Sequence, residues 1–570
     1  MTSVRKIPIR SRRGVIERTI TPPFRQAKRI LRLTPLSNTA LFHRAAAERE
    51  WEFPLALPCA TLASMLWFSS KAHTDKREAW LLFGLIVLLS YFTYVHHYAS
   101  PAAFFWDENY HIASAQKYLN GVYFMEQHPP LGKMLIALGE KTVNANPIDN
   151  QFINTDYGKD PPAGFSFAGY RLFPVLLAWM AVPILFGIFL LITRSAVLAA
   201  LLSFLPTFDN ALIVHMRGAM LEGPLTFFIS LALLAFLLCL EWRDRPRLFA
   251  GASILFGAAF GAAFMTKLTA LILILLVPAL FIRFRPQWRQ FRTFAGLSFL
   301  AFFAVYCTVW HLHFALGKTV NTSLPDNGYY QASQEYKSLL AQGQTSSLLA
   351  FPIMLRDSIR FVSHYNRGVP RLDLCKPDEN GSPFFYWPLG ARSINYRWET
   401  PDGQMYRYLY LQVNPAVWWS SALAVFLAVA LLVCSTLSPF KEKLKNPFLL
   451  LTFLALYAGY MLTLARLGRV MYLYHYFVPL LFSFVILSLV VMELRTFGRH
   501  LIEERQRIIL CFTLAFLVFA GYQFYRPFTY YEPIADTAFQ RRAFFPFWEL
   551  TCVKCQKTSP VAVPRNCPNS

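Results

Sequence analysis

The residues best placed to do chemistry stand together in the stretch FFWDENYHIASAQKYLNGVYFMEQHPPLGKM, which begins at Phe104. Asp107 and Glu108 are adjacent carboxylates just beyond an apolar run that ends near residue 97. Charges at that depth are costly unless they have a task or a partner. One task is to take the proton of a hydroxyl as that oxygen forms a new bond. Glu108 could then orient the acceptor or a neighbouring cation. The residues that follow read as a helix to Leu119 with Gly121 as its cap, which puts Asp107 and His111 on one face. Acids also decorate helix N-termini, where the macrodipole favours them, and the local pattern leaves both readings open. About twenty residues on, HPPLGK supplies His128 and Lys133, with Pro129 and Pro130 turning the chain back toward the membrane. A divalent cation beside Asp107 and Glu108 is left open; the sequence holds no other convincing metal site. It also has no Walker or Rossmann signature.

These side chains must be positioned by membrane helices. Of 570 residues, 55% are apolar or aromatic and 15% are charged, where soluble domains carry roughly 25% charged residues. Apolar spans fall at about 79–97, 171–193, 196–213, 223–241, 248–265, 268–284, 294–314, 413–435, 447–465, 470–492 and 507–525. The expected fold is therefore an all-α polytopic membrane protein of eleven helices, because each crossing segment must satisfy its own backbone. A short run at 54–70, with Pro54 and Pro58, would be a twelfth if it spans; an interfacial or re-entrant path is preferred.

The net charge of +23 would suggest nucleic acid in a soluble chain. Here Lys and Arg gather in short loops: Arg243, Arg245 and Arg247; Arg283, Arg285, Arg289 and Arg292; Lys441, Lys443 and Lys445; Arg495, Arg499, Arg505 and Arg507. All four fall on one side of the eleven spans, which the charge rule makes cytoplasmic. Residues 1–53 read as a basic cytoplasmic tail and 54–525 as the core. Loops 98–170 and 315–412 and the tail 526–570 fall on the outer side. Cys375, Cys552, Cys555 and Cys567 lie there and suit one or two disulfides in an oxidising compartment. Cys552 and Cys555 form a lone C-x-x-C, weak grounds for zinc.

The Asp-Glu pair followed by HPPLGKM resembles the protein O-mannosyltransferase family. So do FDNALIVHMRGAMLEGPLTFF at 208–228, SHYN at 363–366, YWPL at 386–389, NPAVWW at 414–419 and YLYHYFVPL at 472–480. The matches run in order over about 79–525. The resemblance implies a fold of the glycosyltransferase C type, a cytoplasmic N-terminus and the acidic pair outside. It implies sugar transfer, with inversion, from a polyprenyl-phosphate donor to a hydroxyl, with mannose and Ser or Thr of exported proteins first in view. No cofactor is required by that chemistry. Asp107 matches the family's catalytic acid and is the candidate base. Arg171 matches a functional arginine and would hold the leaving phosphate bidentately, unless it is an interface anchor. Lys133 and Arg217 are further phosphate candidates, and Arg217 could instead pair with Glu222, itself a candidate sugar contact. His128 would bind the acceptor or the carboxylates. In the outer loop His364 matches a family histidine, Arg367 rests on position, and Trp387 belongs to an aromatic cluster suited to sugar rings or to the interface. Lys267, near a helix end, reads as a snorkelling residue.

The eukaryotic members carry a β-trefoil domain in this loop, and about one hundred residues leave no room for it. That points to a bacterial-type chain in the inner membrane and leaves the acceptor open. A lipid or glycan acceptor, as in lipid A aminoarabinose transferases, is the alternative. A transporter or flippase would need charged or broken helices at mid-membrane and internal repeats, which the sequence does not display.

Overall fold

The computed structural model describes residues 76–321, 328–376, 379–437, 443–497 and 500–553. The basic tail, the run 54–70, Lys441, Arg499, Cys555 and Cys567 lie outside them.

The helices are α1 (Lys76–Ser90), α2 (Glu108–Leu119), α3 (Leu131–Val143), α4 (Ala168–Thr193), α5 (Ala196–Leu202), α6 (Phe204–Thr207) and α7 (Asn210–Met216). Then come α8 (Glu222–Glu241), α9 (Pro246–Thr266), α10 (Leu276–Phe284) and α11 (Trp288–Leu316). In the outer loop lie α12 (Gln334–Ala341) and α13 (Phe351–Gly368). The chain closes with α14 (Pro415–Leu437), α15 (Pro447–Arg466), α16 (Phe477–Glu493), α17 (Glu504–Tyr530) and α18 (Asp536–Gln540).

Among the described residues nine helices are long and apolar enough to cross a membrane, and a bent pair makes a tenth. The remaining expected span, Leu268–Phe284, is a 3₁₀ run followed by the short α10. The bent pair departs from the sequence reading, which found no broken helix. Ala196–Thr207 and Asn210–Met216 meet at 60°. Asp209 sits in the break, accepting from the Leu212 amide at 2.8 Å and the Trp418 indole at 2.9 Å. Those bonds satisfy polar groups that hydrocarbon would not.

In lipid, helices associate by close packing rather than by expelling water. α4 packs on α3 and α8, and α8 on α9. Glycine allows this at Gly139, whose missing Cβ would strike the Gly169 carbonyl, and at Gly223, against that of Pro174.

The fold is not wholly helical. β1 (Ile394–Glu399) pairs antiparallel with β2 (Tyr406–Leu411), and β2 with β3 (Pro533–Ile534). The segment after α17 is thus part of the fold: Ser393 donates to the Trp548 carbonyl at 2.9 Å, and the Tyr410 hydroxyl to that of Thr551 at 2.6 Å. Cys375 and Cys552 are each disulfide-bonded, as expected of outer cysteines.

Candidate active site

Asp107 occupies the N-cap position of α2, yet its carboxylate caps nothing. It projects toward the start of α16, where the Tyr474 hydroxyl donates to it at 3.3 Å. That removes the reading of Asp107 as a mere helix decoration. The turn before it is strained: Trp106 has φ of 50°, a rare conformation for a bulky residue that costs ~1–3 kcal/mol. Its ring packs on Tyr396 of β1, 5.1 Å between centroids, and edge-on to Tyr472 at 5.2 Å.

Glu108, one residue on, has a different life. It is fully buried and grips Arg171, at the start of α4, through both oxygens (2.6 and 2.8 Å). It also accepts from the Ala219 amide at 2.7 Å. The other Arg171 donors go to the carbonyls of Ala99, Pro101 and Ala103. A guanidinium has five N–H groups, and all are used here, so none is left to hold a phosphate bidentately. This is a correction: Arg171 locks the 99–108 turn to α4.

Of the other predicted cations Lys133 is committed, whereas Arg217 keeps its Nη1 buried without a hydrogen-bond partner. The Lys133 ammonium meets Glu126 at 2.6 Å and the Ser114 hydroxyl at 3.2 Å, deep in the outer loop. Arg217 does not pair with Glu222; it donates to the His97 carbonyl at 2.5 Å and lies over the Tyr530 ring at 4.7 Å. Glu222 instead holds Lys267 at 2.6 Å and His215 at 2.9 Å. Lys267 is therefore no snorkelling residue but the cation of the site's floor. His215 Nδ1 faces the Tyr396 hydroxyl at 2.6 Å, and its ring stacks on Tyr474 at 4.7 Å.

Asp107 thus borders a second charge cluster without an ion pair of its own among the described residues. Burial is the first cause raising its pKa and the Glu222 charge the second; Lys267, His215 and the Tyr474 bond pull the other way. The net direction is upward, which suits a base working near neutral pH. His128 faces this centre too, held neutral by burial first and then by Lys267, Lys133, His111 and Arg469. His111 is turned away: it bonds the Ala219 carbonyl at 2.8 Å, and burial pushes it down to about 3.

The outer-loop residues divide. His364 and Arg367 are exposed on α13, and Arg367 bonds only back to the Ser363 carbonyl at 3.4 Å. Trp387 is fully buried, donating to the Ser382 hydroxyl at 2.7 Å and stacking on His475; it is wall rather than open platform for a sugar. The sequence reading missed His215, Lys267, Tyr396, Tyr474 and Arg469. The signal available for Lys267 was a lone cation between two apolar runs, and for Tyr474 the YLYHY motif.

The fold is that of a polytopic helical membrane protein, and its site sets the Asp107 carboxylate at the edge of a buried charge cluster. The chain superimposes with a TM-score of 0.69 on the Saccharomyces cerevisiae protein O-mannosyltransferase Pmt1-Pmt2 complex bound to the sugar donor. That match covers 86% of this chain and 95% of that one at 15% identity, and so speaks to the fold. The family model described as dolichyl-phosphate-mannose-protein mannosyltransferase matches residues 84–317, and the C-terminal four TMM region of protein-O-mannosyltransferase matches 361–548. The chain belongs to the protein O-mannosyltransferase family. It is 29% identical over 203 residues to Dolichyl-phosphate-mannose--protein mannosyltransferase 1 of Schizosaccharomyces pombe, covering 34% of this chain and 22% of that one. It is 27% identical over 285 residues to Protein O-mannosyl-transferase 2 of Danio rerio, covering 46% and 36%. The matches thus span well under two thirds of these relatives' length.

Proposed function

We propose that this chain transfers mannose from a polyprenyl-phosphate donor to Ser or Thr hydroxyls of exported proteins. The observation that carries the reading is the isolation of Asp107. It is a partly buried carboxylate with a raised pKa, unpaired among the described residues, beside a Glu108 wholly occupied by Arg171. The acceptor oxygen attacks the anomeric carbon as Asp107 takes its proton. The bond from that carbon to the phosphate oxygen breaks, its electron pair leaves on the polyprenyl phosphate, and the configuration inverts. One base suffices and no sugar–enzyme bond forms. This chemistry needs no cofactor, so chelation of divalent cations is expected to leave the rate unchanged.

The reacting face is the one opposite the arginine-rich loops, hence extracytoplasmic by the charge rule. The short loop between α11 and α14 supports a bacterial inner-membrane setting. The test is transfer of radiolabelled mannose from polyprenyl-phosphate mannose to a Ser/Thr-rich peptide by the full chain in nanodiscs. Label on the peptide supports the reading. Label on lipid or glycan alone favours the alternative acceptor, and none on any acceptor sinks it.

A further inference from the structure

The inner ends of the membrane helices carry basic turns, and several of their cations have partners. Arg194 holds Glu241 at 2.5 Å, Arg495 stands 4.0 Å from Glu493, and Arg507 donates to the Leu494 carbonyl at 2.8 Å. One corner differs. The α8–α9 and α10–α11 junctions bring Arg247, Arg283, Arg285, Arg289 and Arg292 to the surface, all exposed. None of these five guanidiniums donates a hydrogen bond or enters an ion pair among the described residues. The carboxylate between α8 and α9, that of Asp244, is taken by Arg243 at 3.2 Å.

The two junctions are fixed to one another. The Gln290 side chain donates to the Arg243 carbonyl at 3.0 Å, and Phe249 of α9 meets Phe284 of α10 edge-on at 5.7 Å. Further along, Gly257 lets α9 close on α11, where its missing Cβ would strike the Ser298 carbonyl. Beside the arginines three rings cluster. Phe281 lies 5.1 Å from Phe291 and 5.8 Å from Trp288, and Trp288 lies 5.5 Å from Phe291. Trp288 is 50% exposed and Phe281 39%. Half-exposed aromatics at the end of a membrane helix mark headgroup depth.

Orientation accounts for arginines on this side, but it asks for neither a ring cluster nor a braced pair of junctions. A set of roughly four to eight cations against a membrane helix suits anionic lipid headgroups, and the planar fork of a guanidinium matches phosphate oxygens. Apolar surface for acyl chains adjoins the cations. Leu271, Ile274 and Ile282 are 53%, 46% and 66% exposed, along the 3₁₀ run Leu268–Leu275 and the α10 that continues it.

We propose that this corner binds anionic phospholipid of the cytoplasmic leaflet, with Arg285, Arg289 and Arg292 on the phosphates and the acyl chains along the exposed face of α10. The three-ring cluster sits between them at the level of the glycerol. An acidic protein fits less well, because the rings stand at the membrane boundary rather than on a face turned to water. The site lies at the opposite end of the helices from Asp107 and does not depend on the transfer reading.

The test uses the full chain in phosphatidylcholine nanodiscs that carry a photoactivatable phosphatidylglycerol, with a photoactivatable phosphatidylcholine for comparison. Wild type should take at least about threefold more phosphatidylglycerol label on peptides covering 243–247 and 281–292 than on those covering 443–445 and 493–497. The phosphatidylcholine probe should show no such preference, and added salt should weaken the preference by screening. Arg285→Gln, Arg289→Gln and Arg292→Gln combined should abolish it, while lysine at the same three positions should keep part of it. Lys443→Gln with Lys445→Gln should leave it intact. Native mass spectrometry should count fewer retained phosphatidylglycerol molecules on the glutamine triple than on wild type. Should the triple fail to insert, the wild-type labelling decides the matter. The inference is overturned if that label spreads evenly over the inner turns, if both probes label the corner alike, or if the inserted triple retains as much phosphatidylglycerol as wild type. Competition by soluble polyglutamate, but not by unlabelled phosphatidylglycerol, would also overturn it and give the corner to an acidic protein.

Discussion

Asp107 and Glu108 are neighbours in sequence and opposites in structure. Glu108 lies at the centre of a closed knot, in which every Arg171 donor is spent on the Glu108 carboxylate or on turn carbonyls. Asp107 faces an open cluster where a single phenol donates to it and another carboxylate raises its pKa. The knot makes a stiff turn, and the open side leaves the Asp107 carboxylate with one hydrogen-bond donor, Tyr474. A buried, fully paired charge buys rigidity, whereas an under-satisfied one keeps its proton affinity for the substrate.

The largest expected break in this contrast is Asp107→Asn. Loss of a positioned base should cost ~10²–10⁴-fold in transfer rate, read as label on the peptide. Stability should move the other way. The folded pKa of Asp107 lies above its unfolded value, so the folded state holds the extra proton between them. Stability therefore falls as pH rises through that window, and the penalty persists at neutral pH. Asn removes it, so the melting temperature in detergent should hold or rise.

Arg171→Met should show the converse. Stranding buried Glu108 is expected to cost ~3–5 kcal/mol of stability, seen as a lower melting temperature and poor yield. Whatever protein folds at low temperature should keep its donor KM, because Arg171 touches no open space. A raised donor KM with intact stability would return Arg171 to the phosphate.

Smaller effects test the cluster around Asp107. Glu222→Gln removes a charge that raises the Asp107 pKa, so the acid limb of kcat/KM should shift to lower pH. Lys267→Met removes a charge that lowers it, so the limb should shift to higher pH. Shifts of the same sign in both would contradict the assignment of Asp107 to that limb.

Much of this was legible in the sequence, and the limits have physical causes. Each expected span has a helical counterpart among the described residues, because lipid imposes length and apolarity locally. Asp107 and Glu108 stood out because charge beside a span is conspicuous. Their division of labour did not, since it depends on Arg171, 63 residues from Glu108, and on Tyr474, 367 from Asp107. Glu222 and Arg217 look like partners five residues apart, yet the break between α7 and α8 sends them to different neighbours. The hairpin of β1 and β2 carried a readable signal, PDG between INYRWE and YRYLYL, which the helical expectation overrode.

The most direct test of the central claim is the pH dependence of kcat/KM for mannosyl transfer by the wild-type chain. If Asp107 is the base, activity falls on the acid side through one apparent pKa above the ordinary aspartate value of about 3.9. A profile that stays flat down to that value would contradict the account.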